Sequence, residues 1–153
     1  MKKFVAVLLA AMLCLSFAAC GGDKATDKTV DAAAMFQALL TDVTYTDNAT
    51  ELDSSMAGVL LGGELPDGTE AYLAANDSAY LRCAVFACKD KDAAAAVKKL
   101  IQTYIDDSID AKYNVDEVAL LQNAKIHSMG NYVAVAVTSD IDNVNKVIDQ
   151  YFA

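Results

Sequence analysis

The chain of 153 residues has no tryptophan, one proline, one histidine and only 12 basic side chains against 21 acidic ones. Each shortage excludes something. A lone His127 cannot supply a multi-histidine metal centre within one chain, and a net charge of -9 lacks the basic face that displaces counterions from phosphates, so no nucleic-acid partner is expected. One proline and seven glycines within a composition that is 55% hydrophobic exclude collagen-like repeats and compositional disorder. No apolar run reaches the roughly 20 residues a helix needs to cross a bilayer. There is no glycine-rich phosphate loop, no Gly-x-Ser-x-Gly elbow and no helix with histidines at metal spacing, so no cofactor is implied.

What is present begins with an address. Lys2 and Lys3 precede an apolar run of 14 residues from Phe4 to Phe17, followed by Ala18, Ala19, Cys20 and Gly21, the order of a secretory signal. The end of this segment, Phe17-Ala18-Ala19-Cys20, resembles the bacterial lipoprotein box, although Phe17 stands where leucine is usual. The resemblance implies diacylglycerol on the Cys20 sulfur and cleavage before it. Two acyl chains anchor stably where one is marginal, at about 0.8 kcal/mol per buried methylene. Residues 1–19 are thus expected to be a lipoprotein signal peptide, 20–29 a lipidated cysteine with a flexible tether, and 30–153 a single domain. Removing residues 1–19 leaves 134 residues with ten basic and 21 acidic side chains, a balance of -11. Such a body repels an anionic lipid surface.

After the anchor only Cys83 and Cys88 remain. Tyr80 to Cys88 reads as a strand, which separates the two by about 16 Å on opposite faces, far beyond the ~7 Å reach of a disulfide. Both are expected to be small buried residues. A Cys–His pair with His127 lacks any recognisable flanking signature.

Periodicity then orders the domain. Val30, Ala33, Phe36, Leu40 and Val43 mark an amphipathic helix over 29–43 with a Thr or Asp cap. The stretch 44–53 is polar and turn-like, and Leu52, Met56, Val59 and Leu60 suggest a short helix ending at Gly62-Gly63. Strands are predicted over 69–76 and 80–88, a helix from an Asp90 cap to about Asp110, and a short helix with a loop over 113–121. Two further strands (124–128 and 132–138) and a terminal helix capped by Asp140 complete the chain.

The second half rhymes with the first at an offset of fifty residues: Ala84 with Ala134, Val85 with Val135, Asp90 with Asp140, Asp92 with Asp142 and Val97 with Val147. The expected fold is α+β and two-layer, an antiparallel sheet of four or more strands with helices on one face. It is built from what reads as two strand-strand-helix units. Internal duplication and convergent selection at strand-to-capped-helix junctions are both compatible with the five identities.

Three stretches together resemble a small lipoprotein family of Gram-positive bacteria called domain of unknown function 4358. They are Leu52-Asp53 with Met56, Ala84 to Asp90 ahead of the alanine-rich helix from Asp92, and Gly130-Asn131-Tyr132-Val133 ahead of the last strand. The resemblance spans roughly 30–152. Cys88 departs from the pattern, and residues 62–75 carry little of it. The family has no assigned activity, so no functional residue is implied.

Among candidate sites, Asp106, Asp107, Asp110, Asp116 and Glu117 lack the alternating positions and fixed glycine of a calcium loop and read as solvated helix-end charge. Asp90 and Asp92 read as capping and dipole partners. Tyr45, Tyr72, Tyr80, Tyr113 and Tyr132 read as half-buried packing residues at sheet ends. The expected function is a non-catalytic envelope lipoprotein, attached to the membrane through Cys20 and binding an envelope protein or peptide on an uncovered sheet face. A small-molecule carrier comes second. The alternative from another class is a cell-wall hydrolase using Asp53 or Glu70 with Tyr132 nearby, which requires two carboxylates facing one cleft.

Overall fold

A computed structural model describes residues 29–111 and 114–153. Asp31 opens the first helix by accepting a 3.0 Å hydrogen bond from the Ala34 amide, and α1 runs Ala32–Asp42. A short strand, β1 (Thr50–Leu52), and a short helix, α2 (Met56–Leu61), follow. Gly62 ends α2 at φ 71°, the left-handed conformation that glycine adopts without penalty. The hairpin β2 (Glu70–Ala75) and β3 (Leu81–Ala87) leads into the long helix α3 (Lys91–Ala111). Asp90 caps α3 by accepting from the Ala93 amide at 2.8 Å. Then come α4 (Val115–Asn123), the hairpin β4 (Lys125–Met129) and β5 (Tyr132–Ala136), and α5 (Ile141–Phe152).

All five strands pair antiparallel in the order β1-β2-β3-β5-β4. The α+β class and the antiparallel sheet are therefore as read from sequence. The placement of the helices is not. Ala84, Phe86, Val133 and Val135 pack with α2, α3 and α4 on one face, whereas Cys83, Val85, Ala134 and Ala136 pack with α1 and α5 on the other. The domain has three layers, and both faces of the sheet are covered. The reason lies in β3 and β5, whose two alternating residue sets are both apolar; strands buried on both sides read this way. Val133, Val135 and Val137 mark only one of two buried faces.

Helices on opposite faces also decide how the halves are related. Adjacent antiparallel strands superpose through a two-fold axis normal to the sheet, which keeps each helix on its own face. Because α3 and α5 lie on opposite faces, the two strand-strand-helix units have opposite hand. The capping rhyme fails as well. Asp140 makes no side-chain cap bond to α5; its Oδ2 instead accepts from the Thr44 amide at 2.9 Å and the Asn143 side chain at 3.0 Å.

Candidate functional site

The chain contains a single arginine, Arg82, and it lies within an apolar strand. Ala75 pairs with Leu81 and Ala74 with Cys83, so Arg82 is the extra residue of a β-bulge. The bulge puts Leu81 and Ala84, three residues apart, on the same face, a phase a regular strand cannot give. Arg82 is 1% exposed.

Two carboxylates meet it there. Asp47, in the loop between α1 and β1, accepts from Nε at 2.6 Å and Nη2 at 2.9 Å. Glu117, 6% exposed in the first turn of α4, accepts from Nη1 at 2.8 Å and Nη2 at 2.9 Å. Nη1 also donates to the Leu81 carbonyl at 3.2 Å. All five guanidinium N–H groups are thus engaged. Burial alone would lower the Arg82 pKa, but the bonds to Asp47 and Glu117 outweigh it and raise it. The Arg82 bond holds Asp47 down to about 2, with Asn76 adding a second donor at 2.6 Å.

Local sequence positions each partner. The Asn114 side chain caps α4 by accepting from the amides of Asp116 and Glu117, which turns Glu117 inward. Asn76 Oδ1 accepts from the amides of Ser78 and Tyr80, closing the β2–β3 turn in which Ala79 takes φ 61°. The Tyr104 hydroxyl on α3 accepts from the Leu81 amide at 3.0 Å. Burial chiefly raises the Tyr104 pKa.

Above this cluster opens a cleft of about 290 Å³ between α2, α3, α4 and the β2–β3 turn. Its walls include Leu60, Leu61, Tyr80, Tyr104 and Val118, with Asp107, Ser108, Asn114 and Glu117 as polar groups and no Lys, Arg or His among the described residues. The chain's acidic helix-end residues therefore do not act alike. Asp107 stands exposed on the rim, whereas Glu117 is buried and paired, so the reading of Glu117 as solvated charge is corrected. Among the described residues no group of three or more His, Cys, Asp or Glu is placed to hold a metal ion.

The other candidates lie elsewhere. Cys83 and Cys88 are buried free thiols that belong to opposite faces of the sheet, and burial pushes Cys83 up to about 11. His127 on β4 shares a row with Ala134 and Val85, two residues along from the row of Cys83, which separates their Cα atoms by roughly 12 Å. Glu70, Ala87 and Tyr132 form one row, with Glu70 and Tyr132 two strands or about 10 Å apart. The Asp53 carboxylate is held by the Ser55 amide at 2.9 Å. Tyr45 donates to the Leu39 carbonyl at 3.0 Å, and Tyr72 packs against Phe36. Cys20 and Tyr113 lie outside the described residues.

Sequence reading missed Arg82 as the hub of this region. The available signal was its singularity: a charged side chain in an otherwise apolar strand requires partners.

Residues 66–138 match the family described as Domain of unknown function (DUF4358). The match runs from the turn before β2 to just past β5 and includes Arg82 and Glu117, with most of the cleft wall. It is narrower than the 30–152 expected, and it takes in part of the 62–75 stretch that carried little of the pattern. No curated protein and no solved structure matches the chain.

Proposed function

We propose that this chain, whose residues 66–138 carry the DUF4358 match, is a lipid-anchored extracytoplasmic lipoprotein serving as a non-catalytic binding module of the cell envelope. The observation that carries the location is the run Phe17-Ala18-Ala19-Cys20 at the end of a charged and then apolar leader. Acyl chains on Cys20 hold an acidic body to a membrane that its own surface charge would not attract.

The cleft supports binding over catalysis. Three of its polar groups serve the fold: Asn114 caps a helix, the Tyr104 hydroxyl accepts from the backbone, and both Glu117 oxygens accept from Arg82. The carboxylates named for wall hydrolysis do not converge there, since neither Asp53 nor Glu70 lines the cleft. Nor does a bare sheet face await a peptide strand, because helices cover both. The cleft is a concave surface with an apolar wall and convergent polar groups.

Mass spectrometry of the native protein tests the location. The expected result is a mature start at Cys20 carrying fatty chains, with Cys20→Ala releasing an unlipidated form from the membrane fraction. A bare native amino terminus would refute it.

A further inference from the structure

The charged residues that line the described cleft, Asp107 and Glu117, are both acidic. Arg82, the one cation behind its wall among the described residues, has every N–H engaged by Asp47, Glu117 and Leu81, so it has no donor for an anionic ligand. Against that one guanidinium stand two carboxylates, Glu117 in the cleft wall and Asp47 on the exposed side away from it, so the cluster keeps one net negative charge. Asp107 adds another on the rim, and its carboxylate makes no hydrogen bond or ion pair among the described residues. Tyr80 and Tyr104 line the same space, and aromatic faces attract cations. Apart from Ser108 and Asn114 the remaining described wall is aliphatic or glycine, too few oxygens for a hard cation, which needs six or more.

We propose that the cleft binds a small organic cation, an ammonium group carried on a short apolar body. At about 290 Å³ it lies at the lower end of the roughly 300–1,000 Å³ range of ligand sites. The ammonium sits between Asp107 and Glu117, over a tyrosine ring, and the apolar body lies against Leu60, Leu61 and Val118. This assignment rests on the reading of the domain as a binding module and names its ligand class.

The test titrates the full chain carrying Cys20→Ala with hexyltrimethylammonium, hexanol and hexanoate, followed by calorimetry and tyrosine NMR shifts. One-to-one saturation by the ammonium, about tenfold or more tighter than by hexanoate, is expected. Asp107→Asn on the exposed rim should weaken the ammonium about fivefold and leave hexanol unchanged. Ala111→Trp, also exposed, should block all three while the thermal transition stays in place.

Hexanoate binding as well as the ammonium would overturn the proposal, as would ammonium binding indifferent to both variants. So would binding of a lysine-containing peptide where hexyltrimethylammonium fails, because the site would then read a protein. Acylation of native Cys20 is measured separately, so a failed titration and a failed anchor remain distinguishable.

Discussion

Arg82 concentrates the electrostatic risk of the fold in one side chain. Removing it strands Glu117 in a buried site without a partner, and breaking a buried pair in this way costs about 3–5 kcal/mol. Arg82→Met is expected to lower the urea midpoint by that measure, and Arg82→Lys to recover little, because an ammonium cannot serve two carboxylates and a carbonyl through one planar fork. A double variant, Arg82→Met with Glu117→Leu, should regain part of the loss. Asp47 gives the cluster a pH signature. Its folded pKa of about 2 lies below the unfolded value of 3.8, so its contribution is present above 3.8 and is lost as pH falls through about 2. Acid unfolding of Asp47→Asn should accordingly show a shallower dependence in that window. The bulge that aims Arg82 was not legible in sequence, because a one-residue insertion in a ladder leaves no mark in hydrophobic alternation.

Helices and strands with strong periodicity were legible element by element: α1, α3 and α5 begin within a few residues of their predicted starts, and both hairpins form where turn residues interrupt alternating runs. Strand β1 was not, since three residues with mostly exposed side chains offer no alternation to detect. The turn after α2 shows how far one glycine fixes an element's end. Gly62→Ala meets no neighbouring atom but must hold φ 71°, a cost of about 1 kcal/mol. Gly63→Ala should cost less, since its new Cβ would meet only Leu100 Cδ2, the end of a half-buried side chain that can turn aside. Comparative thermal melts of the two variants check the order. At the sheet edge, burial and then Lys125 lower the His127 pKa from 6.5, with Asp149 opposing. The neutral imidazole is favoured in the fold, so its contribution is complete above about 6.5 and is lost as pH falls below it. His127→Gln should remove that part of the slope between pH 5 and 7.

At the scale of the molecule, one sheet shared by two cores predicts a single cooperative transition. Phe36→Ala under α1 and Ile101→Ala under α3, both fully buried, are expected to cost about 3–5 and 2–5 kcal/mol respectively. Each should shift the circular-dichroism and tyrosine-fluorescence curves together. The three-layer arrangement escaped the sequence because periodicity shows that a strand has apolar sides without naming what covers each. The same layering gives the proposed anchor a direction. Val30 is buried in the α1 side of the sheet, while the cleft opens on the opposite side. Ten residue steps lead from Cys20 to Val30, a reach of at most about 35 Å fully extended. On the proposed anchoring, a strap of that reach would turn the body's back to the lipid and its mouth toward the outside medium.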